Sequence, residues 1–556
     1  MARKISSRLK INGTFTAQTP IHVGGYGESF ETDMALAKNG NDEFYIPGTS
    51  LTGTLRSWFE KAFVDKTDKK KEEETKKFVN EIWGYQDGSA GNASFVLIED
   101  MRLPEDLRNS LQSELRDGVG IDRHYGTAAD SAKYDRTILP KGTILDFVMT
   151  VEIGEKHDAK KTKAMFGYLL ESLQKGAIRL GASKTRGLGK VNLTKIEPIK
   201  VQNLDSFSGI LSALQNGGNV CSIQGLKDAD SSTKPNLNQK LNIEIDWKPK
   251  SPLMVKAGYD GIGVDTLPLV SANGKDKVSL VLPGSSVKGA FRAQAERILR
   301  TVSGETAKAK KFHEQIQILG KNKKFTKSTE LISELFGAKK ETTKSNLGLG
   351  ALSIDDCFAK KQMKATSWQE VEVGKIYDDK SYNEIVKRNV NGGEVEEVTL
   401  WQALKKVEGN NDLVSPTKDF YINHHTAIDR FTGAASDSAL FSVLKPSPTI
   451  SWENLNLSLD LSRISSTNQK SALMLLLLVL RDFAENRLPL GFATNRGMGE
   501  VKDVSFEITG LYNITYKNGK FDFKDDEKIA DEKQKLKTKV QEEWTEWITK
   551  SQTSNS

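Results

Sequence analysis

Two short apolar runs, Phe44-Tyr45-Ile46 and Leu280-Val281-Leu282, each stop at a Pro–Gly pair. After the first, Leu51, Leu55 and Phe59 recur at helical spacing; after the second, Val287, Phe291 and Ala295 do. Pro–Gly marks a strand-to-helix turn. The stretch PGTSLTGTLR (Pro47 to Arg56) thus returns as PGSSVKGAFR (Pro283 to Arg292). Alternating apolar and polar positions predict opening strands over residues 9–23 and over KLNIEIDW (Lys240 to Trp247). Further strands are expected over Ser94 to Asp100 and Ile144 to Ile153, and a helix from Thr162 to Gln174. The most apolar run, Ala472 to Leu480, is too short to span a bilayer and reads as a buried helix.

These landmarks recur in one order. Thr19-Pro20 matches Ser251-Pro252, and each leads through a glycine-bearing loop to an aspartate, Asp33 or Asp265, thirteen positions after the proline. Next come the Pro–Gly turn, then Ile82-Trp83-Gly84 or Leu335-Phe336-Gly337, then a strand ending in acids at Asp100 or Asp356. GIDRHYGTAAD (Gly120 to Asp130) is matched by AIDRFTGAASDSALF (Ala427 to Phe441), and LGASKTRGLGKV (Leu180 to Val191) by LGFATNRGMGEV (Leu490 to Val501). Such self-similarity implies two homologous domains. We place them at 1–202 and 239–510, joined by a polar linker, 203–238. The second domain carries an insertion near 357–421 that has no counterpart in the first, and 511–556 form a charged extension with Trp544 and Trp547 near its end.

Composition narrows the function class. A chain of 556 residues calls for two or three domains. A net charge of +7, from 80 basic and 73 acidic side chains, is compatible with a polyanionic partner. Cys221 and Cys357 lie too far apart in sequence to suggest a disulfide framework or a cysteine zinc site. The leading MARKISSRLK lacks the apolar core of a signal peptide, so a soluble, intracellular protein without a membrane partner is expected. The dense charges from Lys66 to Lys77 read as an exposed helical face.

Four repeated features carry candidate chemistry. At the Pro–Gly helices, Thr49/Ser50 and Ser285/Ser286 are placed to cap the first turn, and Gly53 and Gly289 leave room for a close backbone. A helix start with hydroxyls and bare amides suits a phosphate. Asp33 and Asp265 are either turn formers or carboxylates that hold a divalent cation, or orient the nucleophile, in RNA cleavage by 2'-hydroxyl attack. Asp122-Arg123 and Asp429-Arg430 either pin their own loops or push a loop into a duplex while arginine meets phosphate. His124, His424 and His425 are possible acid–base groups, but their placement is not repeated. Lys184-Thr185-Arg186-Gly187 and Thr494-Asn495-Arg496-Gly497 offer an arginine fork beside glycines that let the backbone approach a partner. Neither feature is a dinucleotide fingerprint or a P-loop, because the third glycine and the lysine those require are missing.

The PG[TS]S–x–x–G–x–[LF]R helix, the IDR–x–x–G–x–A loop and the late Arg–Gly–x–Gly turn resemble the RAMP superfamily, over most of residues 9–200 and 240–510. The likeness is to backbone subunits of type III CRISPR effector complexes, in a tandem fusion similar to type III-D variants. It implies an α+β fold: two ferredoxin-like, RNA-recognition-motif-like palms with thumb-like hairpin insertions, stacked along a CRISPR RNA beside other subunits of the complex. It further implies that the thumbs, beginning at the IDR segments, open the guide–target duplex. Asp33 and Asp265 then cleave the target RNA with a divalent metal such as Mg2+ or Mn2+. Guide contacts would come from Ser50, Thr52, Arg56, Lys184 and Arg186, from Ser286, Lys288, Arg292 and Arg496, and, in the thumbs, from Arg123, His124 and Arg430. A purely structural filament subunit and a precursor-processing endonuclease are the alternatives; the last needs a histidine or tyrosine base.

Overall fold

The computed structural model describes residues 3–25, 32–64, 69–88, 90–108, 112–122, 125–236, 239–303, 327–338, 348–374, 387–390, 393–396, 399–409, 417–524 and 540–549. The chain forms two compact units of mixed α and β structure. The first comprises 1–116, 135–184 and 188–238; the second comprises 117–134, 185–187 and 239–556.

The first unit is built on an antiparallel sheet. Its central strand, Ile5–Ala17, pairs on one side with Ile144–Gly154 and on the other with Val191–Ile196 and then Ile199–Asn203. Val96–Ile98 adds to the outer side of Ile144–Gly154, and Asn219–Cys221 closes the opposite edge. The Pro–Gly helix, Gly48–Phe63, buries Leu51, Leu55 and Phe59, the face its spacing predicts. Phe59 meets Phe166 of the helix Ala159–Gln174 at 5.2 Å between ring centroids.

The second unit repeats this order. Lys240–Pro249 lies between Leu455–Asp460 and Val501–Gly510, and Leu352–Asp355 adds outside Leu455–Asp460. The helix Gly284–Ser303 buries Val287, Phe291, Ala295 and Leu299, and Phe291 meets Phe483 at 5.8 Å. Phe483 belongs to the helix Gln469–Ala484, so the apolar run is a buried helix as its length requires. The chain also has two long two-stranded hairpins: Glu114–Ile121 with Ala128–Ile138, whose base belongs to the first unit and whose residues 117–134 belong to the second, and Phe420–Ile428 with Ala435–Pro446 in the second.

One segment differs from its sequence reading. Residues 203–238, expected as a polar linker, carry the helices Phe207–Asn216 and Ile223–Lys227, capped by Ser206 and Ser222, and an edge strand of the first sheet. Serines of this polar stretch serve as N-caps. The insertion joins the second core through Trp368, Leu400 and Leu404. The extension beyond 510 adds the hairpin Asn513–Lys517 and Lys520–Lys524 to the second sheet, and helix 540–549 packs Trp544 and Trp547 into its core. Among the described residues, no helix is long and apolar enough to cross a membrane.

The helix caps also differ. Both helices begin at the glycine of the Pro–Gly pair, so Thr49, Ser50, Ser285 and Ser286 lie inside the first turn. Pro47 is the N-cap of the first and offers no side-chain acceptor. The acids that end the neighbouring strands take over: Asp100 Oδ1 accepts from Gly48 N–H, and Asp356 Oδ1 from Gly284 N–H, both at 2.8 Å. Carboxylates at helix starts are stabilising. Asp100→Ala is expected to cost about 1–2 kcal/mol, measured by urea unfolding, with Asp100→Asn milder.

Candidate nucleic-acid interface

In both units the strand-exit loop, the late glycine turn and the hairpin base converge through matching backbone hydrogen bonds. Gly189 N–H donates to Pro20 O and Gly499 N–H to Pro252 O, both at 2.8 Å. Ala182 N–H donates to His22 O at 2.8 Å and Phe492 N–H to Met254 O at 2.7 Å. Gly189 and Gly499 were expected to admit a partner's backbone. A Cβ on either would instead lie 2.0 Å from the carbonyl oxygen of Leu180 or Leu490, so the close approach they permit is to their own turn.

The loop aspartates sit at the end of this framework, exposed, and each is tied to the return strand of a hairpin. Asp33 N–H donates to Asp135 Oδ1 at 2.7 Å, and Asp33 Oδ2 accepts the Asp135 N–H at 2.9 Å. Asp265 Oδ2 accepts the Ser442 N–H at 2.6 Å and the Ser442 hydroxyl at 2.8 Å. One step along, Thr137 N–H reaches Met34 O and Leu444 N–H reaches Thr266 O, both at 3.0 Å. Asp135 and Ser442 each stand thirteen residues after the aspartate at their hairpin tip (135 − 122 = 442 − 429 = 13). The duplication therefore extends to individual hydrogen bonds.

The walls beside the two aspartates differ. His22, Arg136 and Ser183 stand where the second unit has Met254, Val443 and Ala493, part of a small apolar cluster with Met498 and Phe441. His22 Nδ1 lies 2.7 Å from Thr137 O, and burial pushes its pKa down. In the second unit His424 pairs across the hairpin with Ser442, close enough to Asp265 to act on its charge. The loop before Asp265 is braced by the insertion: Ile262 N–H donates to Glu372 O at 3.0 Å and Tyr259 OH to Glu372 Oε1 at 2.5 Å.

The hairpin tips pin themselves. Asp122 Oδ1 accepts from Tyr125 N–H at 3.1 Å, and Asp429 Oδ1 from Phe431 and Thr432 N–H at 2.8 and 2.7 Å. Arg430 is exposed at its tip; Arg123 and His124 lie outside the described residues. Beside Arg430, Phe431 is 99% exposed, and Tyr125 on the other tip is 72% exposed. Exposed rings of this kind suit base stacking. Sequence reasoning passed over both rings because it followed only the Asp–Arg pair.

Of the remaining expected RNA contacts, several are committed elsewhere. Arg56 spends its fork on Glu60 (3.0 Å), Asn80 (2.7 Å) and Gly84 O (2.6 Å). Arg292 does the same with Glu296 and Gly337 O, both at 2.9 Å. Both arginines fasten the Pro–Gly helix to the repeated Trp83-Gly84 and Phe336-Gly337 corners. Lys288 is 5% exposed and donates to Leu352 O at 2.7 Å. Burial first, then Arg186, Arg292 and Arg463, lowers its pKa to about 7, which corrects its reading as a phosphate contact. Thr52 turns its hydroxyl back to Gly48 O at 2.8 Å.

Ser50 is exposed and Ser286 half-buried, and Lys184 Nζ reaches Thr54 Oγ1 at 3.1 Å, joining the late turn to the Pro–Gly helix. Arg186 and Arg496 remain exposed, and each leans on the aromatic that precedes the aspartate's partner on the hairpin. Arg186 Nη1 lies 3.5 Å from Tyr134 OH, and Arg496 lies 5.7 Å from the Phe441 ring centroid. A guanidinium resting on a ring, as that of Arg496 does, can still meet a phosphate at its edge.

Among the described residues no group of three or more His, Cys, Asp or Glu converges, so neither unit offers a closed metal cage. One carboxylate with an uncommitted oxygen still fits a hard cation that keeps most of its waters and takes the rest of its ligands from phosphate. The hydrogen bonds from Ser442 hold Asp265 below the ordinary carboxylate range. The stability this contributes is therefore present above that range and lost as pH falls through the lowered value. Ser442→Ala is expected to raise the Asp265 pKa toward the ordinary range in a carboxyl-detected NMR titration of the full chain.

No curated protein matches the chain. A family model does: that of the RAMP superfamily aligns with residues 14–192 and again with 248–502. Both repeats of the loop aspartate, Pro–Gly helix, hairpin and late glycine turn fall inside those spans. The chain therefore belongs to the RAMP superfamily and contains two regions of that family in tandem.

Proposed function

We propose that this chain is a guide-RNA-binding backbone subunit of a type III CRISPR effector complex, and that Asp33 and Asp265 cut the RNA paired to the guide. Its superfamily is one of CRISPR-associated, RNA-binding proteins. The observation that carries the catalytic part is the repeated tie between each loop carboxylate and the return strand of a hairpin. We read the sheets as ferredoxin-like palms: counting the four main strands of each unit in chain order, they lie as 4-1-3-2. The hairpins with their exposed tip rings are read as thumbs that wedge the duplex.

In this reading Arg186 and Arg496 grip phosphates, and a hairpin splays one nucleotide of the paired strand beside each loop. The splayed ribose presents its 2'-oxygen in line with the adjacent phosphorus, the geometry that this cleavage chiefly needs. The 2'-oxygen attacks phosphorus, the bond to the 5'-oxygen breaks, the departing 5'-oxygen takes up a proton from water, and the fragments end in a 2',3'-cyclic phosphate and a 5'-hydroxyl. Asp33 or Asp265 receives or orients the 2'-hydroxyl proton through the carboxylate oxygen not bound to the hairpin. The same oxygen is where a divalent cation such as Mg2+ or Mn2+ would be held, to supply charge neutralisation at the phosphate.

A structural reading has its own support, since both carboxylates already serve as latches. Asparagine separates the two: it keeps an acceptor for the hairpin N–H but loses the charge. In the assembled complex, Asp33→Asn is expected to remove one cut in a guide-paired RNA and Asp265→Asn another, with guide retention unchanged. Unaltered product ladders in both variants would leave only the latch. Cleavage of precursor RNA by the isolated chain without metal would instead favour a processing enzyme, with His424 as the group to examine. Arg496→Ala is expected to weaken guide binding and flatten its salt dependence by about one phosphate contact.

A further inference from the structure

The helix Phe207–Asn216 turns its large side chains away from the sheet it joins. Its ends are capped: Ser206 Oγ accepts the Gly209 N–H at 3.1 Å, and Gly217 closes the C-terminus with a left-handed φ of 74°. The side that meets its own unit is small and polar. A Cβ on Gly209 would lie 2.5 Å from Asn203 O, and the Ser212 hydroxyl donates to Asn219 Oδ1 at 3.1 Å. Phe207, Ile210, Leu211 and Leu214 recur at i, i+3, i+4 and i+7, a single stripe about 100° wide. They are 82%, 42%, 41% and 79% exposed, and no residue of this helix is buried.

Apolar periodicity normally marks the face that a helix buries. Here that face is the one in water. The stripe presents on the order of 400 Å² of apolar surface, near the upper end of what a monomer leaves exposed.

Charge decides what can cover it. From Ser206 to Leu226 no residue is charged, in a chain of which 28% is. Lys200, which reaches the helix, donates to the Asn216 carbonyl at 3.3 Å, at the C-terminal end. A nucleic-acid backbone is held by cations, and a helix lying on a membrane surface carries lysine or arginine beside its apolar face. The helix has neither. Partners of different sequence are commonly selected by complementary charges around the contact, and this segment supplies none. Near a two-fold axis each residue lies close to its own copy, so a charge there would oppose itself; a charge-free stripe avoids that repulsion. The stripe is also symmetric. Its midpoint falls between Ile210 and Leu211, so an antiparallel pair sets Phe207 against Leu214 and Ile210 against Leu211.

We propose that the stripe from Phe207 to Leu214 is an interaction surface whose occupant is the same helix of a second copy of this chain, packed antiparallel across a two-fold axis. The contact uses one surface on both copies and closes at two. Two stripes with their polar flanks bury roughly 1,000 Å², the lower limit of a specific contact, so association follows concentration. The assignment rests on neither RNA binding nor cleavage by either aspartate.

Sedimentation velocity of the nuclease-treated full chain, over about 1–100 μM, tests it. Monomer is expected to give way to dimer and to nothing larger. Leu211→Glu is expected to weaken the dimer about a hundredfold or more, because it sets two carboxylates in the apolar contact. Its melting curve at low concentration is expected to match the parent's, since Leu211 is exposed in the single chain. Phe207→Cys and Leu214→Cys chains, each also carrying Cys221→Ser, then test the antiparallel register. Mixed under mild oxidation, they are expected to form more of the mixed disulfide than of either self-disulfide. A chain that stays monomeric, a dimer indifferent to Leu211→Glu, growth beyond two copies, or a predominance of self-disulfides overturns the proposal. So does protection of residues 207–216 from hydrogen exchange that appears only when other subunits of the complex are added, which gives the stripe to one of them.

Discussion

The structure depends on a hydrogen bond that a hairpin strand donates to a loop carboxylate. Asp135 N–H to Asp33 and Ser442 N–H to Asp265 are charge-assisted bonds to exposed carboxylates. Their energy is modest beside that of a buried core, and their importance is geometric. A long loop at the mouth of a sheet has many conformations. A carboxylate held at both its backbone and its side chain by one strand has few. The hairpin thereby determines where the charge stands, and any molecule that moves the hairpin moves the charge with it.

The two units reach that arrangement with different chemistry. The first lines its aspartate with a buried histidine and an arginine; the second uses methionine and valine at the matching positions. The second also supports its loop with Glu372 from an insertion that the first unit does not have. Backbone hydrogen bonds can persist through such divergence because they depend on the path of the chain and tolerate many side chains. The same holds for the Pro–Gly helices, where Asp100 and Asp356 keep one cap while Thr52 and Lys288 go separate ways. Lys288 shows the consequence of burial: a cation placed against one carbonyl and near three arginines has its charged form disfavoured.

Much of this was legible in the residues. Apolar spacing identified the buried faces of both Pro–Gly helices and of the Gln469–Ala484 helix, because burial of one face leaves a periodic trace. The equal intervals from Pro20 to Asp33 and from Pro252 to Asp265 marked positions that the structure brings to equivalent hairpin strands. Repetition, however, could not tell a ligand contact from a structural one. Arg56 and Arg292 recur because the same helix corner needs the same fastening. Gly189 and Gly499 recur because the same turn folds back on itself.

The amino-acid order alone determined that the chain is duplicated, where its helices bury their faces, and which acids lie in loops, since each of these is written in local spacing. Tertiary structure alone decided which partners those residues meet. Asp135, Ser442 and Glu372 lie far along the chain from the loops they hold, and no local pattern encodes a contact across such a separation. It also decided that the stretch from 203 to 227 folds, since capped helices and an edge strand are stabilised by the sheet they join.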